Sequence, residues 1–390
     1  MEEGATNQRS GVGSELRLAV DGLPAVDQHA HLLSGPEAGW SLPDLLSESG
    51  DAAQREQVRH HPSFQRALAD LARAMGVAED EEALSAARDR DGFEAHAQRL
   101  FSGCHLDGLL IDDGFPVAGA LDLASHADLA GCPVRRLIRI ETVVEAAAQG
   151  WPGFQALRDA FRDALGAALG GGAVGLKTIA AYRFGLDLPR PDGNDARSAY
   201  RVWRTAGSGP GRLTHPALIA FFLAEALDVA HAFGPVPLQV HTGLGDADLQ
   251  LHRADPSLLG PVIADAGAAG IPVVLLHCYP YVRQAGWLAH VHGHVYLDLS
   301  LTLLLAGHRG SELVLEALEL APATKVLFAT DASRAPEMFF LATRWWRDAL
   351  AGALGRLVGE RTVGESTALE WAGMILAGNA RRLYGLEAPA

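Results

Sequence analysis

The stretch "IPVVLLHCYP", residues 271–280, decides the fold. Four apolar residues, Val273 to Leu276, run without alternation into His277, and a proline follows at position 280. An unbroken apolar run bounded by turn residues reads as a strand covered on both faces, the kind that parallel sheets use. A histidine at its very end, before a turn, stands where such a strand delivers a side chain to a surface.

The same design recurs along the chain. "LPAVDQHAH" (23–31), "LDGLLIDDG" (106–114), "VRRLIRIET" (134–142) and "GAVGLKTIAA" (172–181) precede it, with "VPLQVHTG" at 236–243. "HVYLDLS" (294–300) and "KVLFATDAS" (325–333) follow. Helical patterns at 152–170, 215–233, 256–269 and 311–320 fall between many of them. Eight short apolar strands alternating with helices predict a distorted (β/α)8 TIM barrel, with a doubly wound sheet as the alternative.

Residues 40–103 break the rhythm. They include "FQRALADLARAMG" and "EEALSAARDRDGFEAHAQRLF", apolar at helical spacing, and predict a helical insertion after the first strand that covers one end of the barrel. Residues 1–20 are expected to be a flexible leader and 21–386 the barrel unit; 190–211 reads as a long loop.

Composition narrows the partners. Of 390 residues, 47 are acidic and 32 basic, a formal net charge of −15 without any long Lys/Arg block. Such a surface repels nucleic acid and anionic membranes, so a small-molecule or protein ligand is expected, and a small-molecule substrate is the first choice. The opening "MEEGATNQRS" lacks a secretion signal's basic start and apolar core, and the apolar segment 217–234 is interrupted by Glu225, Asp228 and His231. Three cysteines, Cys104, Cys132 and Cys278, form no disulfide framework. A cytoplasmic protein is the expectation, with a homodimer expected from common oligomer symmetry.

In a barrel the C-terminal ends of all strands meet at one face. His29, His31, Lys177, His241, His277 and Asp331 all fall at or near such ends. His29 and His31 leave the same side of an extended segment, and two neutral imidazoles so placed can bind zinc or a similar ion. Asp27 shares their parity and either supports a histidine or caps the preceding turn. A backbone hydrogen bond would equally explain His277, a helix cap Asp331, and a salt bridge Lys177. Lys177 is one of only two lysines among 32 basic residues. An amine, unlike a guanidinium, can be neutralised, form a Schiff base or be carboxylated. "GGAVGLKT" lacks the Gly-Lys adjacency of a phosphate loop.

The ordered set "VDQHAH", "GLKTIAAYRFGL", "QVHTG", "LLHCYPY", "VLFATDAS" and "ILAGNARRLYGL" resembles the amidohydrolase superfamily, especially its amidohydrolase 2 branch. It is also similar to the amidohydrolase-like half of proteins fused to type I glutamine synthetase. The resemblance implies a divalent metal centre of one or two ions, zinc first and manganese next. His29, His31, His241 and Asp331 would be ligands, joined by His277 and by Lys177 if carboxylated. It implies catalytic roles for Asp331, as base, and for His277, on a second metal or on the substrate. Tyr182 and Arg183 are candidates for a substrate carboxylate, or else a packed ring and a surface charge. The reaction expected is metal-dependent hydrolysis of a C–N (amide) bond in a small carboxylate-containing substrate. A metal-dependent decarboxylase or isomerase is the alternative, and a noncatalytic metal-binding scaffold another.

Overall fold

The computed structural model of the chain describes residues 15–205, 210–234 and 236–386. Each quoted stretch holds one strand: β1 Ala25–Ala30, β2 Leu106–Asp112, β3 Val134–Arg139, β4 Gly175–Thr178, β5 Leu238–Thr242, β6 Val273–His277, β7 Val295–Asp298 and β8 Val326–Leu327. They lie in sequence order in one sheet, with every neighbouring pair parallel. The runs are apolar because strands wrapped outside by helices and packed inside by one another meet water on neither face. All five residues of β5 and of β6 are buried.

Individual backbone bonds between β1 and residues 328–334 close the ring. Gln28 donates to the Phe328 carbonyl (3.3 Å), Asp331 to that of His29 (2.9 Å) and His31 to that of Ala332 (2.8 Å). Arg334 donates to the Leu32 carbonyl and Ser34 to that of Arg334, both at 2.9 Å. Asp27 reinforces the seam. Its fully buried carboxylate accepts the Thr330 N–H (3.0 Å), the Thr330 hydroxyl and the His29 N–H (3.3 Å). Burial pushes the Asp27 carboxyl up to about 7. Its work is therefore in the seam, bonding across to the last strand segment.

The insertion after β1 is helical, with helices Leu42–Leu45, Ala52–Gln57, Pro62–Met75, Glu81–Asp91 and Phe93–Ser102. Phe64, Leu71, Leu84, Leu100 and Phe101 pack with Phe339 and Trp345 of the long helix Pro336–Gly359. Burying each such side chain contributes roughly 1.5–3 kcal/mol, so the insertion is tied to the barrel by a shared core.

Two stretches depart from the sequence reading. Within 190–211, expected as a loop, Gly193–Thr205 is a helix. Its start is capped by Asp192, which accepts the Asn194 and Asp195 N–H groups, and Ala196, Ala199, Tyr200 and Trp203 form its buried stripe. Of the expected leader, residues 1–14 lie outside the described residues. Residues 15–21 are helical, with Leu16 and Val20 buried in the main core.

The helix Pro216–Phe233 is long and apolar enough to cross a membrane by composition, yet more than half of its length is buried against the barrel. Arg158 and Arg162 of the neighbouring helix Phe154–Gly170 reach its Glu225 at 2.9 and 2.5 Å. The C-terminal helix Asn379–Tyr384 lies under the opposite end of the strands, where Asn379 donates to the Ala323 and Val326 carbonyls at 2.8 Å each.

Replacing Asp27 by alanine should lower the unfolding free energy by ~2–4 kcal/mol, because buried N–H donors of Thr330 and His29 lose their acceptor. Urea denaturation reads this directly, and an unchanged midpoint would mean that the seam holds without Asp27.

Candidate metal centre at the barrel mouth

β1, β5, β6 and the segment after β8 deliver His29, His31, His241, His277 and Asp331 to one end of the barrel. The rings form a row: His31 lies 5.0 Å from His29, His29 6.0 Å from His277, and His277 4.5 Å from His241, centroid to centroid. Asp331 sits against the row, with its Oδ1 3.1 Å from His29 Nε2 and 3.2 Å from His31 Nε2. Its Oδ2 is 3.7 Å from His277 Nδ1. Ligand atoms of His29, His277 and Asp331 lie within 4.8 Å of one another. Both His277 and Asp331 have left-handed backbones, φ 65° and 56°, which for such residues costs about 1–3 kcal/mol each and recurs at functional sites.

The hydrogen bonds behind the rings fix which nitrogens are basic. His31 Nδ1 lies 3.0 Å from the Asp112 carbonyl, which can only accept, so Nδ1 carries the proton and Nε2 presents a lone pair to Asp331. His241 Nε2 is held likewise by the Leu244 carbonyl at 3.1 Å. The Ser300 hydroxyl donates to Asp298 Oδ1 (2.7 Å), leaving its oxygen to accept from His277 Nδ1 (2.8 Å). His277 Nε2 is then a buried acceptor without a partner, and His29 Nδ1 and Asp331 Oδ1 are likewise buried without one among the described residues. Acceptors of neutral imidazoles facing an acceptor carboxylate repel one another unless a cation lies between them. The donor set of imidazole nitrogens and a carboxylate oxygen thus fits a divalent ion of the zinc or manganese type.

The electrostatics agree. Burial pushes His29 down to about 3, helped by nearby Lys177, and His277 down to about 4 against the pull of Asp331. Burial and the neighbouring His277 hold His241 well below its ordinary value. All three are neutral, as ligands must be.

Lys177, buried at the end of β4, has Nζ 2.8 Å from His29 Nε2 and 3.5 Å from Asp112 Oδ2. Burial lowers its pKa against the pull of Asp112. Asp112 also takes Arg139 through Nη2 and Nε at 2.6 and 3.0 Å. Burial resists this charge, yet Arg139 and Lys177 keep the Asp112 carboxyl below the usual range.

Above the row opens a chamber of about 420 Å³ lined by His31, Lys177, Tyr182, His241 and Asp331. A vestibule of about 630 Å³ shares Glu48, Phe115, Pro116, Asp246 and Arg334 with it. A cleft of about 700 Å³, lined around residues 309–324 and 356–374, contains no histidine among its lining residues. The Tyr182 ring lies 4.5 Å from that of His241, and its hydroxyl fits over Gly245, where any Cβ would collide with it. Arg183 lines the chamber, but its Nη1 is 2.7 Å from Glu145.

Sequence reasoning passed over Asp112, Arg139, Asp298 and Ser300, although the first three end strands in quoted stretches. Glu48 and Arg334 lie on the insertion and after β8, where no periodic signal marks them. Burial, then Asp331, pushes the Glu48 carboxyl up to about 7.

Fold and site together define a metal-associated (β/α)8-barrel enzyme. The amidohydrolase family profile matches residues 140–386. Protein fluG of Emericella nidulans is 31% identical over 416 residues, which cover 96% of this chain and 47% of that protein. The chain thus spans about half the length of that curated relative. The crystal structure of a Lactobacillus casei protein, assigned as a metal-dependent hydrolase, superposes with a TM-score of 0.88 at 33% identity, covering 95% of this chain and 97% of that one. Uronate isomerase of Thermotoga maritima shares the fold, with a TM-score of 0.69 at 15% identity over 96% of this chain and 97% of that one. The chain belongs to the amidohydrolase superfamily, in its amidohydrolase 2 branch. None of these likenesses bears on a link with glutamine synthetase fusions.

The raised Glu48 carboxyl carries a sign. The folded protein holds a proton that the unfolded chain releases near its ordinary 4.5, so this contribution to stability is full below 4.5 and lost as pH rises through about 7. Glu48→Gln should remove that fall. Urea midpoints measured from pH 4 to 8 test it, and parallel curves for both proteins would contradict it.

Proposed function

We propose that this enzyme hydrolyses the C–N bond of an amide in a small substrate bearing a carboxylate. The observation that carries the reading is the gathering of His29, His31, His277 and His241 around Asp331 beneath an open chamber. His29, His31, His241 and Asp331 would hold the first divalent ion, with His277 at a second position or on the substrate. Lys177 as an ammonium would repel that ion, whereas carboxylation of its amine would replace the positive charge with a negative ligand. Zinc suits the donor set, and manganese is the next choice. When bound, the ion supplies Lewis acidity to a carbonyl and acidity to water.

The chain's own residues supply the rest. Asp331 accepts the proton of the attacking water at its carboxylate. His277, held by Ser300 and Asp298, offers its Nε2 lone pair to a second ion or to the N–H of the substrate amide. Tyr182 walls the chamber beside His241 and limits the substrate's width. Arg183 is committed to Glu145, so the substrate carboxylate falls to Arg334, which lines both chambers and has no ion-pair partner among the described residues. A guanidinium grips a carboxylate through two parallel hydrogen bonds.

The test is a panel of N-acyl amino acids and carboxylate-bearing amides given to metal-loaded protein, with products identified. Equal release of amine and acid is expected; carbon dioxide, or an isomer without added water, would reject the reading. His29→Ala/His31→Ala should lose both stoichiometric metal and turnover while keeping its circular dichroism. Arg334→Ala should raise KM by ~10–100-fold for the carboxylate substrate and by far less for its methyl ester.

A further inference from the structure

We infer that Glu48, carried by the insertion, is a second proton-transfer residue of the site and serves the leaving nitrogen while Asp331 serves the water. The inference rests on the amide-hydrolysis reading. Its first support is placement. Glu48 lines both the inner chamber and the vestibule, on the side that the barrel strands do not furnish. Asp331 sits at the floor among the histidines, and Asp246, the other acid of the chamber, is already bonded to the Asp248 N–H at 2.9 Å.

The second support is how the loop is held. The short helix Leu42–Leu45 buries Leu42, Pro43 and Leu45, and Leu46 follows them into the core. Ser41 and Asp44 cap that helix reciprocally, with the Ser41 hydroxyl 2.6 Å and its N–H 3.1 Å from Asp44 Oδ2. On the far side of Glu48, Arg55 binds Asp44 through Nε (2.7 Å) and the Ser49 and Gly50 carbonyls through Nη1 (3.1 Å each). Anchors thus fix the backbone on both sides of residue 48. The Glu48 carboxyl itself has no hydrogen-bond or ion-pair partner among the described residues. A carboxyl held this way over a catalytic chamber is positioned for a visitor.

The charged groups facing it are Asp331 and Arg334 from the segment after β8 and Asp246 from the loop after β5. Burial favours the protonated acid, whereas Arg334 opposes it. The acid form is the one that a leaving amine needs.

The proton balance closes. Water adds to the amide carbon as Asp331 takes one proton. The C–N bond then breaks with its electron pair going to nitrogen, and Glu48 gives its proton to that nitrogen. The proton held by Asp331 passes to Glu48, directly or through solvent, and the sum is amide plus water giving acid plus amine.

The test compares leaving groups in the metal-loaded full chain. For an N-acyl amino acid with a basic alkylamine leaving group, Glu48→Gln should lower kcat by ~10²–10³-fold. For the matched p-nitroanilide, whose leaving group needs less protonation, the loss should stay below ~10-fold. Glu48→Asp should recover part of the alkylamide rate, with metal content and circular dichroism unchanged in both variants. An equal loss on both substrates, or none on the alkylamide, would overturn the assignment while leaving amide hydrolysis standing. Failure of the wild-type protein to cleave any member of the pair would instead remove the hydrolytic reading and this inference with it.

Discussion

The structure depends on the seam where the first strand meets the last. A barrel whose final strand spans only Val326–Leu327 has little regular pairing with which to close, and closure is carried instead by single bonds between residues 28–34 and 328–334. Asp331 donates its N–H to the His29 carbonyl, and His31 donates to Ala332. The bonds that close the ring are therefore those that set Asp331 beside both histidines of "HAH". Asp27 holds the same seam from within, at the cost of burying a carboxyl, a cost offset by the Thr330 and His29 donors. Fold closure and site geometry are one event here.

Behind the site lies a layer of acceptors that face away from the chamber. The carbonyls of Asp112 and Leu244, and Ser300 with Asp298, each take the proton of one imidazole and turn its other nitrogen inward. Buried lone pairs without donors cost roughly 1–3 kcal/mol each. The left-handed backbones at His277 and Asp331 add to the same local debt.

Most of the fold was legible because parallel strands buried on both faces write themselves as unbroken apolar runs, and because polar residues at the ends of such runs stand out. His29, His31, His241, His277, Lys177 and Asp331 were found by that rule alone, and the structure gathers them at one mouth. Asp112, Arg139 and Asp298 obey the same rule, but carboxylates and arginines at strand ends are too ordinary to be singled out. Glu48 and Arg334 depend on tertiary placement and leave no local mark. Arg183 lies beside Tyr182 in sequence, yet its partner Glu145 is fixed only by folding. The helix Gly193–Thr205 was hidden by the Pro- and Gly-rich residues on either side of it, although Asp192 and the spacing of Ala196, Ala199, Tyr200 and Trp203 encode it.

The central claim is that the converging lone pairs bind a divalent ion on which Asp331 and the histidines act together. Anomalous diffraction above and below the zinc and manganese edges, from protein purified without chelator, addresses it most directly. A peak is expected bonded to Asp331 and to imidazole nitrogens of His29 and His31, with His241 or His277 completing the shell and Ser300 still behind His277. A metal-bearing crystal whose peak lies elsewhere, with His31 Nε2 and Asp331 bridged by a proton alone, would contradict it.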